Sequence, residues 1–440
     1  MSIDQGSAQI GYGPAKHDPQ GLLMSQLARD TLAIVLAGGR GTRLGPLTDW
    51  RAKPAVPFGG KFRIIDFSLS NCVNSGVRRI GICTQYKAQS LIRHVQRGWS
   101  FLDGRFREFV ELLPAQQRVT SDWYKGTADA VYQNLDVLRR HAPEYVLILA
   151  GDHVYKMDYA RLLAEHVGRE ADVSVGCVEV PIGIASAYGV MALDDESRIV
   201  EFAEKPAQPK PAPGRQDVVL GSMGIYVFNA SFLFEELIRD AADSRSRHDF
   251  GGNVIPYLIS NGNRVFAHRF VDSCVNMVEG RPYWRDVGTI DAYWEANLDL
   301  AHVTPDLNLY DDAWPIWTYQ EQLPPAKFVF ETEGRRGVAF DSLVSGGCII
   351  SGSLVRRSLL FSNVHVHSYC SIEDSVVLPD VEVHRHVVLK NCVVDRYCAL
   401  PPGLEAGVDP VEDRKRFFVT DRGVTLITPE MLGQDMHHLR

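Results

Sequence analysis

The sequence predicts an α/β domain built on a mixed, mostly parallel sheet, followed by a parallel β-helix. Two textures carry this. From Thr31, apolar runs of strand length alternate with helical patterns, which implies βαβ units around a parallel sheet. Beyond about Asp341, apolar residues recur at every sixth position with small or polar residues between them, the mark of stacked β-helix coils.

Residues 1–30 are polar and carry Gly and Pro early, so they read as a loose tail ending in a short helix at Leu22–Arg29. No basic start leads into an apolar run, so the tail does not read as a signal peptide. The α/β domain is expected over 31–302. Leu32–Leu36 is its first strand, Ile64–Asn74 a helix, Arg79–Thr84 a strand, Ala128–Arg140 a helix and Tyr145–Ala150 a strand. Four prolines between Val303 and Lys327 break the pattern, and 303–340 reads as a linker. In the third region, 341–440, Cys348, Leu354, Leu360, Val366, Ile372 and Leu378 keep the six-residue period. After a register slip Val381, Val387, Val393 and Ala399 continue it.

A chain of 440 residues makes two or three domains. A formal net charge of −8 argues against bulk affinity for nucleic acid or an anionic membrane. None of the eight cysteines forms a Cys-x-x-Cys pair, so they read as buried, reduced thiols rather than a zinc or redox motif. No apolar run approaches the roughly 20 residues that span a bilayer, and the cytoplasm is the expected compartment.

The first strand runs into Ala37-Gly38-Gly39-Arg40-Gly41-Thr42-Arg43-Leu44. Gly38, Gly39 and Gly41 let backbone N–H groups approach an anion, Thr42 lies within the same loop, and Arg43 can fork onto phosphate oxygens. No Gly-Lys-Ser/Thr follows, and Leu44 stands where a dinucleotide fingerprint needs its third glycine. Downstream, Arg51-Ala52-Lys53-Pro54 places a lysine before a proline, which predicts an extended Lys53 with a fixed aim. Taken alone, Lys53 reads better as a solvated surface residue.

These stretches, with Phe62-Arg63-Ile64-Ile65-Asp66-Phe67, Trp123-Tyr124-Lys125-Gly126-Thr127-Ala128-Asp129-Ala130 and Tyr283-Trp284-Arg285-Asp286-Val287-Gly288-Thr289, resemble the sugar-nucleotide pyrophosphorylases. Within that family the resemblance is to the bacterial ADP-glucose-forming branch, and it covers Leu32 to Leu432. It implies a Rossmann-like (GT-A-like) nucleotidyltransferase domain followed by a left-handed parallel β-helix. It also implies transfer from ATP to glucose 1-phosphate with release of pyrophosphate, the committed step of glycogen synthesis, and a homotetramer. Other implied assignments are Mg²⁺ as cofactor, and Arg43, Lys53 and Asp152 as catalytic residues.

Asp152 follows Tyr145–Ala150, and a carboxylate at that end of a parallel strand faces the ligand crevice. Asp286 lies in a second polar turn. Each alone could be a turn or capping residue; the resemblance makes both metal ligands, and His153 is left as structural. A sugar phosphate has a second pKa near ~6, so no general base is needed. In Ala203-Glu204-Lys205-Pro206 a second lysine precedes a proline and is again expected to be extended. The resemblance gives Lys205 the phosphate of glucose 1-phosphate, Glu204 the sugar hydroxyls, Gly189 and Ser222 contacts to glucose, and Tyr124 a place against the substrate. Gln85, Gln116 and Gln117 carry amides suited to a base edge, but an amide suits several bases.

The family is controlled by phosphorylated or carboxylate metabolites at a basic site between its domains. Arg51, Arg63, Arg140 and Arg396 fit that pattern. Trp50 stands where the family often carries a further cation, and Pro429 and Gly433 stand where it can carry arginine. That departure predicts weak activation by a bisphosphate. Three alternatives remain: a transferase using UTP, dTTP or GTP; a non-catalytic regulatory subunit; and a hexapeptide acyltransferase using His365, His367, His384 or His386. Relatives without catalysis tend to lose the charged residues that are all present here, and the four histidines read as surface residues.

Overall fold

A computed structural model describes residues 19–39, 41–116, 123–212 and 214–435. Thr31–Leu36 (β1) is buried on both faces, as an unbroken apolar run requires. It pairs on one side with Arg79–Thr84 (β2), beyond which lies Phe109–Pro114 (β3), and on the other with Tyr145–Ala150 (β4). All four run parallel. Val173–Pro181 (β5), the hairpin Gly189–Leu193 (β6) and Ile199–Glu204 (β7), the long strand Val218–Asn229 (β8), and Val265–Arg269 (β9) complete a nine-stranded sheet. Strand β8 runs antiparallel beside β4, β5 and β6, while β9 lies parallel to β5.

The short helix expected at Leu22–Arg29 forms, as Pro19–Asp30 (α1), and it is docked. Its Leu27 and Ala28 are buried with Leu162 and Leu163 of a later helix, Tyr159–Gly168, so ordered structure starts ahead of the expected boundary. Ile64–Asn74 (α2) forms as expected. The helix expected over 128–140 is broken into Thr127–Tyr132 (α3) and Leu135–His141 (α4). At the break, the Asn134 amide donates to Ala130 O and to the Tyr124 hydroxyl, so a side chain diverts groups a continuous helix would use.

The β-helix begins earlier than the sequence boundary at 341. Lys327–Val329 and Val338–Phe340 already pair in parallel with the strands of the next coil, so the segment without strands is 303–326. Three flanking sheets stack through coils such as 349–365–382–399. The inward residues are Ile350, Val355, Leu360, Val366, Ile372, Val377, Val383, Leu389, Val394, Leu400 and Ala406, all buried. From Leu360 onward they advance by six, six and five residues, not by six throughout. The register slip read after Leu378 is therefore one instance of a recurring five-residue corner. Leu354 consequently lies half-buried outside, while Leu378 and Val393 point at the other domain.

That contact is a core in its own right. Leu359, Phe361, Val376, Leu378, Val393 and Leu426 pack with Phe58, Phe62, Phe67, Ile290, Tyr293 and Leu300. Ile290–Asp299 (α5) supplies part of this surface. A fully buried fork joins the domains beside it, with Arg51 donating to Asp395 at 2.7 and 3.1 Å. None of the eight cysteines is in a disulfide, and seven are buried. Among the described residues no helix is long and apolar enough to cross a membrane.

Candidate active site

The carboxyl ends of β1 and β4 open into one cleft of about 500 Å³, within the range of small-ligand pockets. The loop after β1 supplies Gly38, Gly39, Gly41 and Arg43 to its wall. Gly41 has φ +62°, and a Cβ there would lie 3.1 Å from Lys53 Cβ, so only glycine lets the loop close over that lysine.

Lys53 is almost fully buried, and its ammonium joins three oxygens. It donates to Asp152 Oδ2 at 3.1 Å, to Asp286 Oδ1 at 2.6 Å and to the Asp286 carbonyl at 2.6 Å. Arg43 Nη2 donates to Asp286 Oδ2 at 3.1 Å. The two aspartates, 134 positions apart in sequence, therefore share one centre. His153 joins them: its Nε2 lies 3.5 Å from Asp152 Oδ1 and 3.8 Å from Asp286 Oδ1. Ligand atoms of all three residues fall within 4.8 Å of one another.

Burial alone would raise the Asp152 carboxyl, but Lys53, His153 and Arg43 hold it down at about 2. Asp286 is also depressed: the charges of Lys53 and His153 outweigh its burial. Burial holds the His153 imidazole below its usual value, with the Lys53 charge acting in the same sense and both aspartates opposing. Two ionised carboxylates and a neutral imidazole make a donor set that suits a divalent ion, Mg²⁺ included when substrate phosphates and water add oxygens.

The opposite wall comes from the β6–β7 hairpin and β8. Glu204 lies against Gly189, where a Cβ would sit 2.8 Å from Glu204 Oε2 and 2.6 Å from the Phe202 ring. Lys205 Nζ lies 3.1 Å from Glu204 Oε1. Ser222, at an irregularity in the β8–β5 pairing, and Tyr124 also line the cleft. Tyr124 is fixed by its hydroxyl, which donates to Leu113 O at 3.3 Å and accepts from Asn134. Gln85 lines the cleft near the loop and reaches the Tyr124 carbonyl at 3.5 Å.

Several expectations need correction. Neither pre-proline lysine is extended. Lys53 opens a 3₁₀ turn, Lys53–Ala55, closed by Val56 N–H on its carbonyl, and its ion pairs set its aim. Lys205 is left-handed at φ +49°, held there as its N–H donates to Tyr188 O at 3.0 Å. Thr42 is exposed and does not line the cleft. Gln116 is exposed, and Arg40 and Gln117 lie outside the described residues.

The four arginines assigned to regulation do not form one group. Arg63 and Arg396 line a cavity of about 320 Å³ between the domains, with Lys61 and His94. Arg51 lies near them but is committed to Asp395. Arg140 is exposed, pairs with Asp136 at 3.8 Å, and lies in the last turn of α4 just ahead of β4, at the end of that strand opposite Asp152.

The sequence reading set His153 aside as structural, whereas the fold brings it beside both aspartates, and it missed Asp249 and Tyr226, which line the cleft. Asp249 accepts from Thr127 Oγ1 at 2.8 Å. Adjacency to Asp152 was the available signal for His153; nothing local marked the other two.

A glycine-rich loop, a buried lysine and two strand-end aspartates around one cleft define a nucleotide-transferring enzyme class. In agreement, residues 32–303 match the nucleotidyl transferase family, and 324–427 match the GlmU-like C-terminal hexapeptide family. Proteins named glucose-1-phosphate adenylyltransferase from Nitrosospira multiformis and Nitrosomonas europaea are each 68% identical to this chain. The first covers 94% of this chain and 98% of its own length, the second 95% and 96%. One from Dechloromonas aromatica is 64% identical over 93% of each. The chain belongs to the nucleotidyl transferase family, among its glucose-1-phosphate adenylyltransferases.

Proposed function

We propose that the chain transfers the adenylyl group of ATP to glucose 1-phosphate, forming ADP-glucose and releasing pyrophosphate. The observation that carries this is the meeting of Asp152, Asp286 and Lys53 at one end of a cleft whose other wall presents Glu204 and Lys205. A phosphate oxygen of glucose 1-phosphate attacks the α-phosphorus, and the bond from that phosphorus to the pyrophosphate oxygen breaks. With a second pKa near ~6 the attacking phosphate is already largely dianionic at neutral pH, so the protein's task is to position and to neutralise.

Lys205 holds the phosphate of the sugar, and Glu204 accepts from its hydroxyls. The loop N–H groups of Gly38 and Gly39, with Arg43, receive the triphosphate. Lys53 brings a preorganised charge to the reacting phosphate. Asp152 and Asp286, with His153 beside them, would hold a divalent ion such as Mg²⁺, which would supply charge neutralisation at the α-phosphate.

Control enters at the cavity between the domains. Burial, with Arg396 and Arg51 nearby, pulls the Arg63 guanidinium down to about 9, so an anion arriving there is electrostatically favoured. The ligand proposed is a monophosphate or carboxylate metabolite. We place the enzyme in the cytoplasm as a homotetramer. The test is the initial rate of pyrophosphate release with glucose 1-phosphate and each of ATP, UTP, dTTP and GTP, with and without effectors. A preference for any base but adenine overturns the substrate assignment; no turnover with any of them favours a regulatory subunit.

A further inference from the structure

A second cluster of side chains able to ligate a metal lies on the β-helix, on a different sheet from the one packed against the catalytic domain. His365–Val366 and Glu382–Val383 pair in parallel with His365 opposite Glu382. Side chains two apart on a strand share a face, so His367 falls beside His365 and His384 beside Glu382. The ladder holds at these positions, as His367 N–H donates to Val383 O at 2.9 Å. Three imidazoles and a carboxylate thus form a square on one outer sheet face. The ring centroids of His365 and His367 are 4.2 Å apart, and those of His367 and His384 are 5.2 Å apart. Glu382 Oε1 lies 3.2 Å from His365 Nδ1 and 2.5 Å from His367 Nε2. Ligand atoms of His365, His367 and Glu382 all fall within 4.8 Å of one another. The neighbouring coils place Ile349 and Ala399 in line with His365 and Glu382, and neither bears a charge.

We propose that His365, His367 and Glu382 form a binding site for a divalent transition-metal ion of the zinc type, with His384 or water as the fourth ligand. Tetrahedral zinc with bonds of about 2.0–2.1 Å separates its ligand atoms by roughly 3.3 Å; the His365–Glu382 spacing meets this, and the His367–Glu382 contact opens to it when the ion enters. Imidazole nitrogens favour Zn²⁺, Ni²⁺ or Cu²⁺, whereas Mg²⁺ favours oxygen. The donor type therefore separates this site from the carboxylate-rich catalytic centre.

The experiment is equilibrium dialysis of the full chain against Zn²⁺ in excess Mg²⁺, comparing wild type, the double variant His365→Ala/His367→Ala and Asp152→Asn. The double variant should lose one bound equivalent that Asp152→Asn keeps. It should keep the Mg²⁺-dependent initial rate and the melting profile of wild type. His367→Gln, which preserves shape and polarity, should weaken Zn²⁺ at least about tenfold. Co²⁺ should give visible bands of imidazole ligation in Asp152→Asn that are absent when His365→Ala and His367→Ala are added to it. Equal Zn²⁺ stoichiometry and affinity in wild type and the double variant would overturn the site, as would uptake confined to the equivalent that Asp152→Asn removes.

Discussion

Lys53 and Asp286, 233 positions apart, meet twice: the ammonium donates to both the side-chain Oδ1 and the main-chain carbonyl of the aspartate, each at 2.6 Å. The second contact fixes the Asp286 backbone, so the turn that carries one carboxylate is anchored by the cation that neutralises it. Asp152 is held by the same ammonium.

Asp152→Asn keeps the shape of the site and removes one of the two carboxylates proposed to hold the metal. Turnover should fall by about 10²–10³-fold, the range for losing one preorganised electrostatic group. Circular dichroism and thermal melting should stay near wild type. Turnover within a factor of three of wild type, measured as pyrophosphate release, would sink the assignment.

Lys205→Ala removes a charged donor that reaches the sugar phosphate in our proposal. A lost charge-assisted hydrogen bond of roughly 1.5–3 kcal/mol corresponds to a rise of about 10–100-fold in the KM for glucose 1-phosphate, with the KM for ATP little changed. An unchanged sugar-phosphate KM defeats this role.

Arg51→Ala leaves Asp395 buried without its partner. Removing one member of a buried pair costs about 3–5 kcal/mol, so calorimetry should show a clearly lower transition temperature. Arg51→Met with Asp395→Leu should recover most of the loss. If Arg51 were mainly an effector ligand, its loss would leave the melt unmoved and alter only the activator response.

His166 is buried beside Ser174, and burial pushes its imidazole down to about 4. In the unfolded chain it titrates near ~6.5. The folded form binds the proton less readily, so its contribution is complete above the unfolded value and is lost as pH falls from there towards 4. Each pH unit inside that window removes up to about 1.4 kcal/mol. Denaturant titrations of wild type and His166→Gln across this range should show a shallower acid slope in the variant; identical slopes would contradict it.

Arg396→Ala should abolish the response to phosphorylated or carboxylate effectors while the unstimulated rate persists. In wild type, fructose 1,6-bisphosphate should be the weaker activator beside a monophosphate or carboxylate metabolite. Strong and selective activation by the bisphosphate in an effector screen would refute that order.

Much of the catalytic unit was legible because its signals are local. Strand β1, its glycine-rich loop and the aspartate after β4 follow from apolar runs ending in particular residues. The conformations of Lys53 and Lys205 were not, because a following proline only disfavours the ordinary helical region for them. Contacts with Asp286 and with the Tyr188 carbonyl, remote in sequence, decided the rest. Gly433, noted as a departure from arginine, has φ +70° and caps a 3₁₀ turn, a conformation an arginine would adopt under strain. The five-residue corner of the β-helix was masked for a different reason. Leu378 and Val393 are apolar because they meet the catalytic domain, and their spacing imitates that of inward residues.

The shared apolar seam between the two units has a practical consequence for dissecting the molecule. A polypeptide ending inside 303–326 would leave Phe58, Phe62, Ile290 and Tyr293 without their covering. It would expose a greasy scar of the kind that drives aggregation. Neither half is therefore a free-standing module, and fragments cut at that segment should be insoluble when expressed alone.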